Sequence, residues 1–305
     1  MASIGVTGVA GSLCMRLLLM LACLASAHAA LDPPQPPSGG RDVSTWADVL
    51  EDDVDDRVVT DSALREAIRR SGLPWRVRDR ATGIEMVLVP AGQFVMGRSE
   101  GDVQAEPDEG PPRTVMLSSP FYMGRYEVTQ EQYFRTCHPA NAAARDVAGT
   151  GSADDVRGRQ WPAETLTWSD CANFCRISGL RLPTEAEWEF ACRAGDRTAR
   201  YGPLGEIAWC AENSDAETHP VGLKRANALG LHDMIGNVWE WVADWYGPYS
   251  GAPQRDPSGP TRGESRVLRG GSRGSLAELC RASYRNAGDP SVTLNGDGFR
   301  VARTP

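Results

Sequence analysis

Gly230-Leu231-His232-Asp233-Met234-Ile235-Gly236-Asn237-Val238-Trp239-Glu240-Trp241-Val242-Ala243-Asp244-Trp245 sets three tryptophans beside three carboxylates, Asp233, Glu240 and Asp244. Gly236-Asn237 between them is a turn signal, because both residues tolerate positive φ. The residues after it read as a strand, with Trp239 and Trp241 on one face and Val238 and Glu240 on the other. A tight turn brings the carboxylates of Asp233 and Glu240 close to the carbonyls of Gly236 and Val238. Carboxylate mixed with carbonyl oxygen suits a hard cation, and Ca²⁺ accepts it in irregular geometry. A Trp-rich core strand with solvated acids is the plainer alternative.

Outward from this stretch, the chain reads as a soluble globular protein. It has 305 residues, 41% of them hydrophobic and 24% charged, with a formal net charge of -8. That acidic balance argues against a nucleic-acid-binding surface. Upstream, Met86 to Gly92 is a β-rich run ending in a Pro/Gly turn, and Gln93 to Gly97 reads as its hairpin partner. Arg113 to Leu117 and Phe121 to Tyr126 are two further strands. Thr129 caps a helix with Gln132 in the capping-box position, and Thr167 opens a second helix that runs from about Asp170 to Ile177. A third starts at Thr184, with Glu187 completing its box, and ends near Gly195. Residues 138–160 are polar and Gly/Ala-rich, the composition of a long surface loop. Short strands are expected around Val221, Val238, Val267 and Phe299. Helices on loop-dominated β structure make an α+β domain, with boundaries at 74–305.

The segment before it divides in two. Residues 1–29 read as an export signal: Arg16 precedes the apolar run Leu17 to Leu24, and Ala27-His28-Ala29 offers small residues for cleavage. Leu21-Ala22-Cys23 faintly resembles a lipoprotein box, although Met20 fits it poorly. The apolar run is too short to span a bilayer comfortably, and no other segment is long enough. Residues 30–73 read as a linker, Pro- and Gly-rich to about 41 and then acidic, with a short amphipathic helix from Ser62 to Ile68 capped by Asp61.

Six motifs carry a resemblance. Gly92 to Gly97, Tyr126-Glu127-Val128-Thr129, Arg181-Leu182-Pro183-Thr184-Glu185-Ala186-Glu187-Trp188-Glu189, Gly236 to Trp241, Arg269-Gly270-Gly271-Ser272 and Gly298-Phe299-Arg300 stand in the order found in the formylglycine-generating enzyme (sulfatase-modifying factor) family. The resemblance spans about residues 84 to 304. It implies a single compact domain, a variant of the C-type-lectin fold with little regular secondary structure and a structural calcium core. The family's calcium ligands fall on the side chains of Asp233 and Glu240 and the carbonyls of Gly236 and Val238. A second calcium site of the family matches Asn213-Ser214, without an evident acidic ligand further on.

The family's chemistry fits less well. Members that convert a sulfatase cysteine to formylglycine carry two cysteines after Gly-Gly-Ser, three and eight residues past the serine, which bind copper(I) as soft thiolates. Ser272 is that serine here, and the first cysteine position is Ser275. Counted forward without gaps, the second position is Cys280; counted back from Gly298-Phe299-Arg300 through Arg285, Cys280 lies outside the pair. A hydroxyl is a poor copper(I) ligand and cannot join a redox thiol pair. Iron-using relatives need clustered histidines or carboxylates, and His138, His219 and His232 show no helical spacing. The resemblance also implies a disulfide from Cys192 to the C-terminal segment, where Cys280 is the one cysteine available. Residue 301, where the family partner of Cys175 is expected, is Val301. Removing the signal leaves Cys137, Cys171, Cys175, Cys192, Cys210 and Cys280, an even number that suits an oxidising compartment but leaves pairing open.

Two functional classes follow. One is an exported binding module whose cleft holds a peptide or protein ligand without oxidising it, stabilised by calcium. The other is an oxidase of the formylglycine-generating type, or a divergent one, working with Cys280, Ser272 and copper.

Overall fold

The computed structural model describes residues 42–138 and 160–305. The export signal, the first part of the linker and nearly all of the 138–160 loop therefore lie outside the described residues.

In chain order the strands are β1 (Ala47–Glu51), β2 (Arg76–Asp79), β3 (Glu85–Val89), β4 (Gly92–Met96), β5 (Arg113–Leu117), β6 (Phe121–Gly124), β7 (Trp239–Trp245), β8 (Gln254–Arg255), β9 (Arg266–Arg269), β10 (Arg285–Gly288), β11 (Asp297–Gly298) and β12 (Ala302–Arg303). The helices are α1 (Ser62–Arg70), α2 (Gln130–Cys137), α3 (Trp168–Ser178), α4 (Glu185–Arg193) and α5 (Leu204–Ile207). Three sheets form, ordered β1-β2-β3-β6-β12, β10-β9-β7-β11 and β4-β5-β8. Short strands, few helices and long irregular connections make the α+β architecture expected from the sequence.

The helix starts follow local chemistry. Thr129, Thr167 and Thr184 each accept a hydrogen bond from the third helical backbone N–H, and Gln132, Asp170 and Glu187 return the bond to the cap. Each reciprocal pair satisfies two donors that a helix end otherwise leaves bare. Asp61 caps α1 through Leu64 N–H.

Strand pairing differs from the expected hairpin. β3 pairs with β2 and β6, with Val89 opposite Phe121, while β4 pairs with β5, with Gly92 opposite Leu117. The burial patterns explain it. Met86 to Val89 are all buried, as in a strand covered on both faces, whereas Gly92 to Met96 alternate between part-buried and exposed until Met96. With a neighbour on each edge, β3 has no side left for β4.

The linker reading also needs correction from residue 42 onward. β1 adds an antiparallel edge to β2, with Val49 opposite Val77. Val43, Ala47, Val54, Val59 and Ile68 join the hydrophobic core. Trp46 meets Tyr122 edge-on at 5.5 Å between ring centroids. Residues 42–73 are thus part of the folded unit that contains the domain.

A second kind of core runs beneath α4. Glu185 and Glu189 are buried and meet Arg285 and Arg269, which come from the C-terminal third of the chain. Arg281 forks onto Glu109 at 2.6 and 2.7 Å. Such pairs fix geometry more than they add stability, since each guanidinium must be stripped of water.

Candidate functional site

The turn after Met234 takes the conformation its residues allow. Gly236 has φ 85° and Asn237 φ 57°. A Cβ on Gly236 would stand 2.3 Å from the Trp209 carbonyl oxygen, so glycine is required there. Gly236 N–H donates to Gly270 O at 3.0 Å, and Asn237 N–H to Trp209 O at 2.8 Å. The Asn237 carboxamide donates to Glu127 Oε2 at 2.7 Å and accepts from His219 N–H at 2.9 Å. Val238 N–H donates to Glu127 Oε1.

Around this turn lie three buried carboxylates, Glu127, Asp233 and Glu240, and one buried guanidinium, Arg300. Arg300 grips Glu240 with two bonds, Nη2 to Oε1 at 2.6 Å and Nε to Oε2 at 2.7 Å. Trp188 Nε1 donates to Glu240 Oε2 at 2.6 Å. Asp233 Oδ2 accepts from Gly222 N–H at 2.6 Å, while Asp233 Oδ1 is buried and has no donor among the described residues. Burial and the Asp233 and Glu240 charges push the Glu127 carboxyl well above the usual range, and burial lifts Asp233 to about 6. Among the described residues no three of His, Cys, Asp and Glu converge tightly enough to grip a metal by themselves. A cation here would have to draw on backbone carbonyls as well.

The segment after β9 makes the second half of the site. Gly270 and Gly271 both have positive φ, 95° and 82°. Beyond them Ser272 and Ser275 are buried and face each other, Oγ to Oγ at 3.3 Å, and Ser272 N–H donates to Ser275 Oγ at 2.9 Å. Cys280 is fully buried under this turn: a Cβ on Gly271 would stand 2.9 Å from its sulfur. Burial pushes the Cys280 thiol up to about 12.

The remaining expected site residues are dispersed. Asn213 closes a local turn, accepting from Cys210 N–H at 2.9 Å and donating to Ala208 O at 3.0 Å. Ser214 Oγ donates to Arg273 O at 2.8 Å. The side chains of Asn213 and Ser214 thus hold the local backbone. His219 stacks on Trp209, His232 bonds to Lys224 O, and His138 ends α2. All six described cysteines carry free thiols, and Cys192 Sγ lies 3.8 Å from Met234 O. The left-handed turn at Gly270 and Gly271 leads into the segment that meets Ala211, whose N–H donates to Ser275 O at 3.0 Å.

Residues 75–305 match the family model of the sulfatase-modifying factor enzyme 1-like domain. The chain belongs to this family. It is 32% identical over 277 residues to the formylglycine-generating enzyme of Streptomyces coelicolor, a match covering 71% of this chain and 88% of that protein. A chain from Chlamydia caviae named serine/threonine-protein kinase pkn1 is 34% identical, over 72% of this chain but 38% of that one. Among solved structures, PvdO from Pseudomonas aeruginosa superposes with a TM-score of 0.65 at 31% identity, covering 75% of this chain and 98% of that one.

Within the sulfatase-modifying factor framework, the sequence missed the two residues that organise the turn, Glu127 and Arg300. Both stand in motifs that carried the resemblance. Nothing local linked either of them to residues 233–240, because their partners lie 110 and 60 positions away.

Proposed function

We propose that this chain is a calcium-stabilised, non-oxidising binding module of the sulfatase-modifying factor family, exported and presenting its cleft to a peptide or protein ligand. The observation that carries the non-oxidising part is the surroundings of Ser275 and Cys280. The first position of the copper pair is a hydroxyl already bonded to Ser272. Cys280, the second position counted forward from Ser272, is fully buried and its thiol is raised to about 12. Copper(I) needs accessible thiolates, so this donor set does not fit it. The relative named as a kinase, matched over 38% of its length, supports the idea that the domain serves proteins of other activities.

Calcium fits better. Three buried carboxylates face one buried guanidinium, two negative charges in excess when all are ionised. A buried excess of that kind is relieved by protons or by a divalent cation. Asp233 Oδ1 lacks a donor, and Glu240 Oε1 accepts only the Arg300 Nη2 bond and keeps a lone pair. With the Gly236 and Val238 carbonyls these are the hard oxygens that calcium takes. Among the described residues no helix is long and apolar enough to cross a membrane.

Copper(I) titration of the folded chain against a competing chelator tests the non-oxidising part. The expected result is no stoichiometric site, in either the natural chain or Ser275→Cys. One tightly held copper(I) gained by Ser275→Cys would show that Cys280 reaches the cleft, and would overturn the reading.

A further inference from the structure

Six arginines are buried among the described residues. Arg193, Arg269, Arg281, Arg285 and Arg300 each meet a glutamate in an ion pair. Arg113, the first residue of β5, is 7% exposed and meets no carboxylate among those residues. Its Nε donates to the neutral carboxamide of Gln254 at 2.9 Å, and its Nη1 is buried with no acceptor there. The guanidinium lies 3.5 Å from the ring centroid of Tyr249. That ring already carries a second cation, Arg285 at 4.0 Å, and its hydroxyl donates to Glu185. One phenol ring therefore serves two guanidiniums, and Arg285 is the one that has a carboxylate as well. A buried charge is costly unless it is paired, and a shared ring face offsets only part of that cost.

The place is close to the surface. Pro111, Pro112 and Ser250 are exposed, and a Cβ on Gly251 would stand 2.8 Å from the Pro111 ring. The segment after Tyr249 thus rests on the segment before Arg113. We propose that Arg113 binds a small monovalent inorganic anion of the chloride class through Nη1, with Tyr249 as the floor of the site. A monatomic ion suits a donor with little room around it. A phosphate or a partner's carboxylate would need an open guanidinium fork, and Nη1 is shut off from solvent. The ion supplies the negative charge that a glutamate supplies to each of the other five arginines. The site shares no residue with the Asp233-to-Glu240 turn or with the segment around Ser272.

The test is the melting temperature of the full chain as sodium chloride replaces sodium gluconate at constant ionic strength and constant free calcium. The expected result is a saturable rise, about 3–6 °C at ten times the dissociation constant. Arg113→Gln should show no such rise, and Arg113→Lys, which keeps the charge, should retain part of it. Equal rises in the natural chain and Arg113→Gln would overturn the proposal, as would a rise given by sulfate and not by chloride. A second measurement is independent of any variant's folding: crystals of the natural chain grown in bromide, with the ion located by its anomalous scattering. Bromide in contact with Arg113 Nη1 is expected. Bromide found only elsewhere, as an adventitious ion, would overturn the proposal.

Discussion

Arg300→Met should lower the stability of the folded chain by about 3–5 kcal/mol, the loss typical when one partner of a buried ion pair is removed. The guanidinium makes five bonds, to both oxygens of Glu240 and to the carbonyls of Gly124, His232 and Asp233. Methionine fills much of the volume but leaves Glu240 buried and held only by Trp188 Nε1. It also leaves Glu127, Asp233 and Glu240 without their guanidinium. Glu240→Gln should cost less than Arg300→Met, because the amide still accepts from Trp188 and removes one charge from the cluster. Chemical denaturation of both variants measures this. A loss under about 1 kcal/mol for Arg300→Met, the scale of an exposed pair, would contradict the buried arrangement.

Those five bonds also show how far the sequence could be read. The Gly236-Asn237 turn was legible because its signal is local: two adjacent residues with positive φ. The three threonine caps were legible for the same reason, each being completed three residues on. Pairings between distant segments were not. Arg300 and Glu240 lie 60 positions apart, and no periodicity connects them. β1 was missed because of its five residues only Ala47 is fully buried, so the strand shows no alternating apolar pattern. It joins the sheet through backbone bonds to β2, which composition does not record.

Calcium removal is the second large effect expected. A cation bound at about 100 to 1,000 times its dissociation constant adds about 3–4 kcal/mol to the folded state. For a chain of this size that corresponds to a fall in melting temperature of about 5–10 °C on chelation. Asp233→Ala removes the donorless Oδ1 together with its partner oxygen, and its melting curve should no longer respond to chelator. Asn213→Ala should respond to chelator as the natural chain does, because Asn213 is spent on its own turn. Melting curves that coincide with and without chelator, on protein shown by elemental analysis to start with calcium, would remove the cation from the account.

The central claim is that this sulfatase-modifying factor domain does not oxidise cysteine, and turnover addresses it most directly. The purified full chain, copper-loaded and under oxygen, is incubated with a peptide containing Cys-x-Pro-x-Arg, and the peptide is weighed by mass spectrometry. Ser275 is bonded to Ser272 and Cys280 is buried, so on the proposed reading this turn offers copper no thiolate pair. The predicted result is a peptide of unchanged mass. A loss of about 18 Da at the cysteine, the change from thiol to aldehyde, would contradict the account and make this chain an oxidase.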